Sequence, residues 1–472
     1  MHSSVNKEEA FCLCGKSNVY FIGIGGTGMS GLAHYLASAK ATVSGSDLQL
    51  IPSVEQYLKK SGIRIFRGHS AGNISPACKL VVKSAAIPDT NPEIIRAVKY
   101  RIPIVKYAQL LGYLMGRAGC GIAVSGAHGK TTTSSLMAYM LYQARKDPSF
   151  VIGGVLKDFQ SSARFGKSKY FVAEACEYDR SFHQLPAMMR IINNIEPDHL
   201  DYYGNFSNVV KAFREFCLMT PKDGLVIANI DSPGVRKCIR GLKIPMLTFG
   251  SSPKADWYFK PMADSSGFRV WHKRKLYGNF RLGIPGRHNF YNALAGIIVA
   301  DALGISKSII KKSLAGFTGV GRRFDVISDG RSTRGRIIID DYGHHPTEIT
   351  GTLRTARSVY PNRRIFCAFQ PHQYSRTRLF LGQFAQALQA ADVVLVPPIY
   401  AARDSAKEQQ KISSLDLVNA INKISARAIY IPDFAGIVKY LKANTIPGDV
   451  IITLGAGDVW EVGQQLKKVL LP

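Results

Sequence analysis

Short apolar runs alternate with longer segments of helical character along nearly the whole chain, the pattern of parallel strands joined by crossover helices. Asn18–Ile24 (NVYFIGI) reads as a strand, closed by glycines and followed by a helix-like GMSGLAHYLASA, with further apolar runs at Ala41–Ser44 and Leu80–Val82. A second block begins with Gly121–Val124 (GIAV), turns through glycine and continues as a helix over Thr131–Ala144. Its later strands are expected at Tyr170–Ala173, Arg190–Asn194 and Leu225–Ala228. A third block opens at Gly335–Asp340 (GRIIID) and runs on through RRIFCAF, ADVVLVP, ARAIYIP and GDVIITLG. Glycine clusters interrupt the pattern at Gly112–Gly121 and Gly316–Gly321. The expectation is an α/β chain of three domains, residues 1–113, 114–320 and 321–472.

Composition narrows the class. With 472 residues, 46% hydrophobic and 20% charged, the chain is globular rather than disordered or fibrous, and too long for one core. The longest apolar stretch, Ala293–Ala300, is less than half of a bilayer crossing, and the first residues carry no apolar leader segment. A cytoplasmic protein without membrane insertion is expected. Of eight cysteines only Cys12 and Cys14 lie close together, with no second pair to complete a structural zinc site, so reduced thiols are expected. The net charge of +28 is spread over the whole chain instead of being concentrated on one arm. That distribution suits phosphorylated small molecules and argues against a dedicated nucleic-acid partner.

Two glycine loops carry the candidate chemistry. Gly23-Ile24-Gly25-Gly26-Thr27-Gly28 reads G-x-G-x-x-G between a strand and a helix, with Asp47 about twenty residues on. Glycines let the backbone approach a pyrophosphate, and the helix N-terminus offers N–H groups to its charge. NAD or any other nucleotide diphosphate fits this pattern, as does a tight turn without a ligand.

Ser125-Gly126-Ala127-His128-Gly129-Lys130-Thr131-Thr132-Thr133 follows a strand and opens a helix, as a P-loop does, although Val124 stands where the strict pattern has a small residue. Its N–H groups would cradle the phosphates of ATP or GTP, Lys130 would reach the β/γ oxygens, and the Thr131 hydroxyl would ligate Mg²⁺. Glu174 and Glu177 end the strand FVAEA, while Asp198, His199 and Asp201 follow IINNI. Both clusters are expected at one sheet edge beside the P-loop, as a metal site requires.

An ordered series of motifs then resembles the Mur ligase family of ATP-dependent peptidoglycan enzymes over essentially the whole chain. They are GIGGTGMSG, SGAHGKTTT, EACEYDRSF, NIEPDHLDYY, GRHNFYNALAG, GVGRRFD, DDYGHHPTEI, FQPHQYSRTR and LGAGD. The resemblance implies a Rossmann-like N-terminal domain for a UDP-sugar, a central P-loop ATPase-type parallel sheet and a Rossmann-like C-terminal domain for an amino acid. Gly25, Gly26, Thr27, Gly28, Asp47, His69, Ser84 and Ala85 would then contact UDP. Gly126, Ala127, His128, Gly129, Lys130, Thr131 and Thr132 would take the ATP phosphates. Asn289 and Asn292 would hold the adenine side, Arg323 the γ-phosphate and Asp341 the ribose. Thr131, Glu174 and His199 would bind Mg²⁺, which Mn²⁺ can replace. Lys130, Glu174, His199 and Arg323 would be catalytic.

Tyr342, His344 and Arg376 would bind the amino acid. Tyr342-Gly343-His344-His345-Pro346, where a murein-tripeptide-recycling sister has FAHHP, favours L-alanine joined to UDP-N-acetylmuramate by a monomer or weak homo-oligomer. The implied reaction activates the lactyl carboxylate as an acyl phosphate and leaves ADP and phosphate. Cys176, Gly296, Gln373, Arg403 and Arg214 depart from the family pattern. Gln373 stands where arginine is usual, with Arg403 a candidate to compensate, and Arg214 takes the place of a carbamylated lysine found in some sisters.

Overall fold

The computed structural model describes residues 17–263, 267–402, 404–424 and 427–471; Cys12, Cys14 and Arg403 lie outside them. β1 (Asn18–Ile22), β2 (Thr42–Asp47), β3 (Arg64–Arg67), β4 (Leu80–Lys83) and β5 (Ile104–Lys106) form a parallel sheet in the order β3-β2-β1-β4-β5. The central strands β1 and β4 are buried on both faces. Val19 and Phe21 enter one apolar cluster, and Tyr20 and Ile22 enter the other, as period-two alternation requires.

The second sheet has ten strands: β6 (Cys120–Ser125), β7 (Ser149–Leu156), β8 (Ser161–Arg164), β9 (Tyr170–Glu174), β10 (Met189–Ile192), β11 (Leu225–Asn229), β12 (Met246–Gly250), β13 (Trp257–Pro261), β14 (Gly267–His272) and β15 (Lys275–Arg281). They are ordered β15-β14-β13-β12-β11-β10-β6-β9-β7-β8. The middle is parallel, but both margins are antiparallel: β7 pairs with β8, and β13, β14 and β15 form a meander. The expected parallel sheet is therefore mixed. The alternating DWYFKP and GFRVWH segments carry the strands that a search for continuous apolar runs passes over.

A third sheet contains β16 (Asp325–Asp329), β17 (Ile337–Asp341), β18 (Ile365–Phe369), β19 (Val393–Val396), β20 (Arg427–Tyr430) and β21 (Val450–Leu454) in the order β16-β17-β21-β18-β19-β20. Only β16 is antiparallel to its neighbour. Ile337 and Ile339 pack on one face and Ile338 on the other, so helices cover both sides.

These three α/β sheets fall into two compact units, Met1–Gly283 with Phe290–Thr318, and Ile284–Asn289 with Gly319–Pro472. Within the first unit one apolar cluster runs from Phe21 and Leu32 to Phe171 and Phe213, joining the first two sheets. Tyr35 packs on Phe171 with ring centroids 5.6 Å apart, and the Tyr57 hydroxyl lies 2.9 Å from Ser161 Oγ. Of the glycines at Gly112–Gly121, Gly112 and Gly116 lie inside a helix. That helix spans Tyr107–Ala118, across the expected 113/114 boundary, and ends at Gly119, whose φ is +90°. Gly112 answers instead to packing, because a Cβ there would sit 1.9 Å from the Gln184 carbonyl oxygen.

Candidate functional site

At the C-terminal edge of the first sheet the chain turns left-handed at Gly23 (φ +80°) and enters the helix Thr27–Ser38 through Gly26. No side chain caps that helix, which leaves its first N–H groups available to an anion. β2 and β4 flank β1, so the turn lies at the point where strand order reverses, where α/β sheets bind ligands. Asp47 Oδ2 accepts from Gly25 N at 2.8 Å, and the ideal Cβ of Gly23 would meet Ser84 Cβ at 3.1 Å. Gly25, Gly26, Thr27, Gly28, Asp47, Ser84 and Ala85 thus gather at one edge, as expected. His69 joins them, its Nδ1 2.9 Å from Ser46 Oγ.

β6 delivers the second loop. Gly126 and Gly129 have φ of +140° and +79°, conformations in which a side chain is strained, and the helix Lys130–Gln143 begins at once. Asn194, beyond β10, braces the loop from the neighbouring strand. Its Oδ1 accepts from His128 N at 2.8 Å, its Nδ2 donates to His128 O at 3.1 Å, and its carbonyl accepts from Ala127 N at 3.3 Å. Lys130 Nζ folds back onto this loop, donating to Gly126 O and to Ala127 O at 3.3 Å, and pairs with Glu177 at 3.0 and 3.1 Å. Burial works against its charge, but Glu177 outweighs this and holds the ammonium pKa above its usual range. Thr131 and Thr132 are buried in the first helical turn.

The donor atoms of Glu177, Asp198 and His199 lie within 4.8 Å of one another. His199 adopts a left-handed φ of +54°, its N–H donating to Asp198 Oδ1 at 2.8 Å. Two carboxylates and an imidazole make a donor set that fits a divalent cation. Glu174, at the end of β9, accepts from Gly153 N at 2.6 Å, and its charge also acts on Lys130. The described triad therefore contains Glu177, Asp198 and His199, three of the residues that the two acidic clusters brought to this edge. The side chain of Asp201 lies outside the described residues. Cys176, beside Glu177, is exposed.

Asn292 is buried and accepts from the Thr133 hydroxyl at 3.1 Å, under the P-loop helix. Asn289 belongs to the second unit, where its Nδ2 donates to Pro285 O at 2.5 Å. In that unit Asp341 ends β17. Its oxygens accept from Phe324 N and Gly343 N, both at 2.7 Å, while burial pushes its carboxyl up to about 6. Arg322 and Arg323 place their guanidiniums 5.0 and 5.2 Å from the Tyr342 ring centroid. Arg322 is fixed there by Asp340 at 3.1 Å and Gly455 O at 2.7 Å. Tyr342 and His344 meet edge to face at 5.4 Å, and the His372 ring lies 5.8 Å beyond. Arg376 is carried by the short helix Tyr374–Leu379, entered through Gln373, which is buried with φ +72°.

Asn194 and Arg322 both stand inside motifs read from the sequence without being assigned roles. Their signal was present as residue type, yet their partners come from other strands.

Three sequence profiles match this chain: "Mur ligase family, catalytic domain" over residues 18–118, "Mur ligase middle domain" over 124–300, and "Mur ligase, glutamate ligase domain" over 322–457. The UDP-N-acetylmuramate–L-alanine ligase of Caldanaerobacter subterraneus is 43% identical over 451 residues, 95% of this chain and 96% of its own. That of Acetivibrio thermocellus is 42% identical, covering 96% of each chain. Among solved structures, the UDP-N-acetylmuramate–alanine ligase of Thermotoga maritima superposes with a TM-score of 0.82 at 30% identity, over 96% of this chain and 98% of that one. A murein peptide ligase from Psychrobacter arcticus gives 0.73 at 26% identity, over 96% and 98%.

Proposed function

The chain belongs to the Mur ligase family and is an ATP-dependent ligase joining L-alanine to UDP-N-acetylmuramate in peptidoglycan synthesis, and we propose how its residues divide that work. The lactyl carboxylate is a poor electrophile, so one of its oxygens must become a leaving group before an amine can attack. Phosphoryl transfer from ATP supplies that group as an acyl phosphate, and the amide forms as phosphate leaves. ADP and phosphate are the by-products.

The observation that carries the assignment is the pairing of Lys130 with Glu177, the same carboxylate that stands with Asp198 and His199. In this reading Lys130 would exchange Glu177 for the β/γ oxygens of ATP, which would leave the carboxylate available as a metal ligand. Glu177, Asp198, His199 and Thr131 would hold Mg²⁺, with Glu174 close by in sequence at the end of β9. The cation would offset charge on the transferring phosphoryl group. The P-loop N–H groups, held in place by Asn194, orient the phosphates.

Gly25 to Gly28, with Asp47, His69, Ser84 and Ala85, hold the UDP moiety. Arg323 and Asp341 keep their assignments to the γ-phosphate and ATP ribose, and Tyr342, His344 and Arg376 keep theirs to L-alanine. No helix among the described residues is long and apolar enough to cross a membrane, and we place the reaction in the cytoplasm, where ATP and UDP-sugars are made.

Phosphate release with ATP and Mg²⁺, with and without UDP-N-acetylmuramate and each amino acid in turn, tests the reading. Release that requires UDP-N-acetylmuramate and L-alanine together is expected. Release driven by nucleic acid, or by a murein tripeptide in place of L-alanine, would overturn it.

A further inference from the structure

Beneath the first glycine loop lies a buried polar network around Glu93, a residue that none of the sequence motifs includes. Glu93 is fully buried at the second position of the helix Pro92–Lys99, whose N-terminus is capped by Asn91. Its carboxylate accepts from the Tyr20 hydroxyl at 2.8 Å, the Ser46 hydroxyl at 2.6 Å and Asn73 Nδ2 at 2.8 Å, with Ser70 N at 3.4 Å. His69 Nδ1 stands 3.1 Å from Glu93 Oε2 and 2.9 Å from Ser46 Oγ. Burying an ionised carboxylate is costly unless its lone pairs are taken up, and here donors from β1, β2 and the turn at Ser70–Asn73 take them up. The helix N-terminus adds a favourable dipole.

These contacts decide the protonation of the His69 ring. A carboxylate only accepts, and the Ser46 hydrogen is already committed to Glu93. Both neighbours of Nδ1 are therefore acceptors for its hydrogen. Nδ1 must carry the proton, which leaves Nε2 of the neutral ring as an acceptor. Ser46 also immediately precedes Asp47, whose carboxylate holds Gly25 N, so one buried group ties the His69 turn to the end of β2.

We propose that Glu93 is a positioning residue of the nucleotide-sugar site, locking His69 in the Nδ1–H form so that Nε2 accepts a hydrogen bond from an N–H or O–H of the nucleoside. The proposal deepens the assignment of this sheet edge to UDP and rests on it. It also accounts for a buried acid that no catalytic step uses.

The test begins without substrate. Long-range ¹H–¹⁵N correlation spectra of the full chain at pH 8 report the tautomer of each histidine, and His69→Gln identifies the signal. The Nδ1–H form is expected for His69 in the wild type, and the Nε2–H form would overturn the proposal. In Glu93→Gln the three donors on Oε1 keep the amide oxygen there, which puts the NH₂ donor in place of Oε2 beside His69, and the signal should move toward the Nε2–H form. Ser46→Ala, which keeps Glu93, should retain the wild-type tautomer, and does so independently of whether Glu93→Gln folds.

Calorimetric titration then separates positioning from general support. Glu93→Gln should weaken UDP-N-acetylmuramate about tenfold while ATP affinity stays within about twofold, tenfold being the loss of roughly one good hydrogen bond. An equal loss for both ligands, or no loss for the UDP-sugar, would overturn the positioning role. A wild type that shows the Nδ1–H tautomer yet fails to bind UDP-N-acetylmuramate would overturn the substrate reading and leave the tautomer assignment supported.

Discussion

Lys130 Nζ and Glu177 Oε2 lie 3.0 Å apart, an ion pair between the P-loop lysine and a carboxylate that is 2% exposed. Forty-seven residues separate them in sequence, and they meet because β9 is the immediate neighbour of β6. The lysine is thus held as an ammonium on the strand edge where phosphates are expected.

Lys130→Ala should leave a folded protein with negligible ligase activity. The charge matters most as negative charge redistributes during phosphoryl transfer, so the loss should fall on kcat and not on substrate affinity alone. Steady-state kinetics check this. Retention of more than about a tenth of kcat, a loss under about 1.4 kcal/mol, would remove the P-loop from the mechanism.

Asp198→Asn and His199→Ala should each raise the Mg²⁺ concentration for half-maximal phosphate release about tenfold, the usual scale for disturbing a metal site. Measurements at saturating ATP, UDP-N-acetylmuramate and L-alanine isolate the effect. An unchanged Mg²⁺ dependence in both variants would move the cation away from the triad with Glu177.

Asp341 predicts a pH dependence of stability. Burial raises its carboxyl to about 6, partly countered by Arg323 and by the Phe324 and Gly343 N–H groups. The folded state then keeps a proton that the unfolded chain has lost. Its contribution to stability is fully present below about pH 4, and is lost as pH rises through about 6. Compared with Asp341→Asn, which does not titrate, the wild type should gain about 1 kcal/mol between pH 7 and pH 5. Denaturant melts at the two pH values measure the difference, and a constant gap would show that Asp341 ionises in the ordinary carboxylate range.

Gly112→Ala should destabilise the protein by about 3 kcal/mol, at the upper end for overpacking, because the clash is with backbone. Its Cβ would meet the Gln184 carbonyl oxygen at 1.9 Å, so a whole helix must shift. Thermal unfolding reads this directly. A loss below about 1 kcal/mol would mean that the helix slides without penalty.

Gly296→Ala should do the reverse. Gly296 lies inside the helix His288–Ala302, and the atom its Cβ would crowd, at 2.5 Å, is the terminal methyl of Met140. That methyl is the far end of a flexible thioether, which can turn to give way at little cost. Alanine in place of mid-helix glycine then gains roughly 0.5–1 kcal/mol. A lower melting temperature would show that Met140 cannot yield.

Three blocks of strands and helices, the two phosphate-type loops and the family were legible in the chain because each is a local signal. β1 and β6 are short apolar runs closed by glycine, and Lys130 follows its loop directly, so neighbouring residues specify the turn and the helix start. The meander β13–β15 was not legible in that way, since its alternating pattern gives no continuous apolar run and its pairing depends on which edge of the sheet is free. Glycine marks a turn or a close approach, and at Gly112 only Gln184, from a distant segment, shows which.

What the sequence alone determined is therefore the set of residue types and the elements that carry them. The tertiary structure decided their partners. It placed Glu177 with Asp198 and His199, put Asn194 behind the P-loop, and brought Tyr20, Ser46, His69 and Asn73 to one carboxylate up to 73 residues away. The physical reason is that a buried charge must be matched by whatever donors the neighbouring strands present. Strand order, which joins distant segments, is set by packing of the whole sheet and not by any window of the chain.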